Sequence, residues 1–160
     1  MNQTHLHLLL THLPIYGSIL GAIVLVYALW TKSNQTKIAA YIVFILSSLG
    51  AGIAYLTGEA AEETVEDIQG IAKKQIEEHE EIAIVALVLL IILGLASIIG
   101  LFLTLRKPLL TKTTAWIILF ISIISFAVIA WTGYLGGQIR HTEINPTAMF
   151  IHQNLGSNTR

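Results

Sequence analysis

Imidazole is the side chain best suited to bind iron, copper or zinc near neutral pH. This chain has six: His5, His7, His12, His79, His141 and His152. His7 and His12 stand five residues apart just before the first long apolar stretch, His79 stands just before the third, and His141 follows the fourth. The carboxylates share this placement. Glu59, Glu62, Glu63, Glu66, Asp67, Glu77, Glu78, Glu80, Glu81 and Glu143 are the ten acids of the chain, and none lies within an apolar stretch. Every group able to bind a metal or carry a proton as an imidazole or carboxylate is therefore expected at one end of the molecule.

At 1.5 Å rise per helical residue, these histidines fall into two tiers. His12 and His79 form the deeper tier, and His7 and His141 the shallower one. His5 and His152 read as terminal and solvated. One histidine at a lipid boundary is satisfied by water or lipid phosphate, but four at the same ends of different helices encircle a common cavity. Haem iron in a membrane bundle is held by histidines of facing helices. A b-type haem is thus expected, with His12 and His79 as axial ligands and His7 and His141 as alternatives or a second pair. Two axial imidazoles leave no open coordination position, which favours electron transfer over oxygen chemistry. A quinol or a periplasmic redox protein would be the partner. Gly136 and Gly137 would make room for a flat ring, and Arg140 would offer a forked donor to propionates. Lys73 and Lys74 are weaker donors.

Two other readings use the same residues. A non-haem centre for Zn, Cu, Mn or Fe would combine the histidines with Glu59, Glu63 or Glu78. No Glu-x-x-His pair occurs, which weakens a di-iron site. A structural or assembly subunit would need no cofactor. Cysteine is absent, so disulfides, Fe–S clusters and thioether-linked haem are excluded. No nucleophile–base motif, phosphate loop or HExxH appears, and whether the chain is an enzyme stays open. A net charge of −1 gives no reason to expect nucleic acid as a partner.

The elements that position these residues are apolar. Hydrophobic residues make up 54% of the 160, charged residues only 12%, and the mean hydropathy is +0.72. Four uncharged stretches, 13–30, 38–56, 82–105 and 115–135, are each long enough for a membrane-spanning helix of about 18–20 residues. Backbone groups in lipid must be bonded within the segment, so the stretches should be helical. Short links, 31–37 and 106–114, join them in pairs, the second broken by Pro108. The expected fold is an all-α, up-down-up-down four-helix bundle in the lipid bilayer, with helical extensions on the outer face. Homo-oligomers are compatible with it.

The short links carry Lys32, Lys37, Arg106, Lys107 and Lys112 and no acid, so the positive-inside rule places them in the cytoplasm. Both termini and the histidines would then lie on the periplasmic side of a bacterial inner membrane. Tyr27, Trp30, Tyr41 and Trp116 at one end, and Tyr16, Tyr55, Trp131 and Tyr134 at the other, fit headgroup-level aromatic belts. The first thirty residues lack the basic start and small-residue cleavage site of a signal peptide. In the central loop, 57–81, Val65, Ile68, Ile71, Ala72 and Ile76 recur at helical spacing, with a break expected near Gly70. Residues 145–160 form a polar tail.

Several of these motifs occur together in one known group. His7-Leu-Leu-Leu-Thr-His12-Leu-Pro14-Ile, Thr57-Gly58-Glu59-Ala60-Ala61, His79, and Thr132-Gly133-Tyr134-Leu135-Gly136-Gly137-Gln138 followed by His141 resemble a bacterial four-span membrane family catalogued as a domain of unknown function. The likeness spans most of residues 5–144. It implies a four-helix membrane protein with histidines gathered at one end and a link to haem or redox chemistry. The chain departs from the usual opening in lacking prolines after its early histidines.

Overall fold

The computed structural model describes residues 10–58, 73–107 and 110–140, the side chains of 73–76, 139 and 140 excepted. Four helices make up almost all of it: α1 (His12–Trp30), α2 (Asn34–Leu56), α3 (Lys73–Arg106) and α4 (Thr111–Arg140). All four are long and apolar enough to cross a membrane. α1 packs on α2 and α4, and α3 packs on the same two, so the helices form a closed ring with α1 and α3 at opposite corners. This is the all-α four-helix bundle that the apolar stretches predict. Most of the central loop and the whole of the 145–160 tail lie outside the described residues.

The interior of this bundle sets small residues of α1 and α2 around a few large ones such as Tyr41, Phe44, Leu90, Leu93 and Ile118. α1 buries Pro14, Gly17, Ser18, Gly21, Leu25 and Ala28, and α2 buries Lys37, Ala40, Tyr41, Phe44, Ser47, Gly50, Ala51 and Ala54. Large residues such as Leu20, Ile23, Leu46, Ile99 and Phe120 face outward. Lipid is as apolar as leucine, so helices associate through close backbone approach instead of by hiding large side chains. Gly21 shows the device. A Cβ there would stand 2.5 Å from the Phe44 ring, so α1 and α2 can lie this close only with hydrogen at that position. Gly17 meets Ser47 in the same way.

Buried hydroxyls are tied to their own helices. Ser18 donates to the Ile15 carbonyl at 3.0 Å, Ser47 to Val43 at 2.9 Å, Ser122 to Leu119 at 2.7 Å and Thr132 to Val128 at 3.0 Å. Ser125 donates to Ile121 at 2.9 Å and also reaches the Leu89 carbonyl on α3 at 3.4 Å. Near the basic end, Tyr41 Oη and Thr104 Oγ1 face each other. The two hydroxyls meet without a well-formed hydrogen bond, and Ser97 Oγ is likewise without one among the described residues.

The α1–α2 link is tight. Ser33 N–H donates to Ala28 O at 3.1 Å and Thr31 N–H to Tyr27 O at 2.9 Å, which closes α1. Lys32 takes the left-handed conformation (φ 54°) usually filled by glycine at this position. Ser33 then starts α2, its hydroxyl accepting from Thr36 N–H at 3.2 Å. Lys37, one turn on, is 5% exposed and donates to Asn34 Oδ1 at 3.0 Å.

Candidate functional site

α3 is 34 residues long and α4 is 30, against 19 for α1 and 23 for α2. The longer pair carries both helices beyond their apolar stretches at the acidic end. His79 lies on this extension of α3 and is half-buried against α4. Its Nδ1 stands 3.2 Å from the Thr132 carbonyl oxygen. A carbonyl only accepts, so Nδ1 carries the proton, and in the neutral ring the lone pair is on Nε2. Metal-binding histidines are oriented in this way, one ring nitrogen donating to a carbonyl while the other ligates.

Gly136 makes this bond accessible. The Thr132 carbonyl points one turn along α4 toward residue 136, where a side chain would shield it. A Cβ on Gly136 would meet His79 Cε1 at 3.1 Å, Nδ1 at 3.5 Å and Nε2 at 3.8 Å, so the Cε1 side of the imidazole rests against the glycine. Among the described residues, nothing comes within 4 Å of where a Cβ of Gly137 would stand. Thr132 takes part through its backbone carbonyl, which residue type does not disclose; in the sequence only its i, i+4 spacing to Gly136 marks it.

His12 shares the level of His79 but not its direction. Ile15 of α1 packs beside Gly133 of α4. One turn further toward the acidic end brings α1 to His12 and α4 to Gly136, on which His79 rests. His12, however, belongs to the outward stripe of α1. It is exposed and stacks on Tyr16, with ring centroids 6.1 Å apart and planes 17° from parallel. The expected His12–His79 pair is thus matched in height, while the two rings face different surroundings. A headgroup-level role suits the His12 side chain as placed.

Glu78 is exposed beside His79. Among the described residues, no three His, Cys, Asp or Glu side chains gather closely enough to hold a metal ion. His7, His141, Glu59 and Glu63 lie outside the described residues, as does the Arg140 side chain. The Arg140 backbone is the last helical residue of α4, one turn beyond Gly136 on the Thr132–Gly136 stripe.

Comparison with known proteins adds no name to this geometry. No family model matches the chain, no curated protein matches it, and no solved structure matches it. What is established is a four-helix bundle with membrane-spanning character in which, of the two described imidazoles, that of His79 packs against α4 at the acid-rich end and meets a backbone carbonyl.

Proposed function

We propose that this chain is a b-type haem protein of the bacterial cytoplasmic membrane that passes electrons at its acidic, periplasmic face. The observation that carries the reading is the His79 Nδ1–Thr132 carbonyl bond seated on Gly136, the orientation a ligating imidazole needs. His79 would supply one iron ligand. His12 faces outward, so the second would come from the shallower pair, His7 or His141, which lie outside the described residues. Arg140, on the His79-facing stripe of α4, is the donor for propionates.

Bound haem would supply a one-electron couple, and two imidazoles would keep it closed to oxygen. The protein's part is to fix the His79 tautomer and to hold the Cε1 side of the ring against Gly136. The basic short links support a cytoplasmic location for the opposite face. A quinol or a periplasmic redox protein remains the proposed partner.

The test is a reduced-minus-oxidised spectrum of the protein purified from haem-replete cells. A Soret band with a sharp reduced α-band supports the proposal. A colourless protein overturns it, and stoichiometric Zn, Cu or Mn without porphyrin transfers the His79 site to a non-haem metal.

A further inference from the structure

A groove of about 350 Å³ opens between α1 and α4 at the basic end, remote from His79. Its walls are Val26, Leu29 and Trp30 of α1 and Lys112, Trp116 and Leu119 of α4. The chemistry of this lining is one-sided. Val26, Leu29 and Leu119 offer only hydrocarbon. Lys112 and the two indole N–H groups offer only hydrogen-bond donors. Trp30 and Trp116 are 81% and 55% exposed, so both rings stand at the bundle surface and not within it.

The groove therefore combines an apolar face with a rim that carries two indoles, one cation and no acid. Its setting has the same sign. Lys32, Arg106 and Lys107 share this end, and none of its links carries a carboxylate. A water-soluble anion would have no use for the apolar face, and a neutral amphiphile would have no use for the ammonium. Basic pockets between helices at a membrane surface bind anionic headgroups, each cation there contributing about 1 kcal/mol.

We propose that this groove holds one anionic phospholipid of the adjoining leaflet. Its phosphate lies on Lys112, its glycerol region lies between the two indoles, and an acyl chain lies along Val26, Leu29 and Leu119. The bound lipid fills the seam between α1 and α4 at this end. The proposal is independent of the reading of His79.

Native mass spectrometry of the full-length protein, with phosphatidylglycerol or phosphatidylcholine added at equal concentration, tests it. One phosphatidylglycerol should stay bound preferentially. Lys112→Gln should cut that preference about fivefold, Lys112→Arg should keep it, and Lys107→Gln, a charge of the same face outside the groove, should leave it nearly unchanged. Equal retention of both lipids by the native protein overturns the site. So does an equal loss in Lys107→Gln and Lys112→Gln, which would show a diffuse surface attraction.

Discussion

The imidazole of His79 donates through Nδ1 to the backbone carbonyl of Thr132 at 3.2 Å, joining the extensions of α3 and α4 across 53 residues of sequence. The bond sets the ring tautomer and its tilt together. His79→Gln is therefore expected to abolish the Soret band, and His7→Gln to abolish or shift it. His12→Gln should leave it intact, because that ring stacks outward on Tyr16. Absorption spectra of the three purified variants check this. A band lost in His12→Gln but retained in His79→Gln would reverse the assignment.

Gly136→Val should displace the ring without unfolding the bundle. Even a methyl would stand 3.1 Å from His79 Cε1, and a branched side chain leaves the imidazole no place on α4. Cofactor content should fall as in His79→Gln, with a stability cost of about 1–3 kcal/mol. Haem content and thermal unfolding measured on the same sample separate the two effects.

Gly21→Val tests how the bundle itself is held. Its Cβ would fall 2.5 Å from Phe44, deep in the α1–α2 contact. A loss of about 1–3 kcal/mol or more is expected. A Phe44→Ala exchange in the same chain should recover part of it by reopening space. Denaturation in mild detergent provides the measurement.

Lys32 holds a left-handed conformation at φ 54° in the α1–α2 turn, where a Cβ is unfavourable. Lys32→Gly should raise stability by about 1 kcal/mol. Ser33→Ala, which removes the α2 cap, should lower it by about 1 kcal/mol. Opposite signs from adjacent positions would be read by thermal unfolding of the two variants.

Tyr41 keeps its hydroxyl in the core without a well-formed hydrogen bond among the described residues. An unpaired buried hydroxyl is a cost, so Tyr41→Phe should leave stability unchanged or raise it by about 1 kcal/mol. A clear loss would instead reveal a Tyr41–Thr104 hydrogen bond, direct or through a water.

Length and hydropathy located the spans well: α1 and α2 end at Trp30 and Leu56, where the apolar stretches end. The fourth apolar stretch ends at residue 135, but α4 does not. It runs on through Gly133, Gly136 and Gly137 to Arg140, because packing against α3 outweighs the weak helix preference of glycine. The height of the histidines was legible from residue counts alone, and His12 and His79 do fall on one level. Their azimuth was not, because lipid inverts the usual sign of burial. Pro14, Gly17 and Gly21 mark the inward face of α1, while the larger residues mark the outward one. Read that way, the four-residue step from His12 to Tyr16 already places both on the outer stripe. The Thr132 carbonyl was beyond reach, since a backbone acceptor leaves no trace in residue type.

Counted from Arg106, His79 stands 27 residues up α3, or roughly 40 Å, against a hydrocarbon layer of about 30 Å. His79, level with the start of α1 at His12, thus falls at the edge of such a layer and not within it. Under the proposed function, a cofactor at that level would arrive from the aqueous compartment without passing through the bilayer.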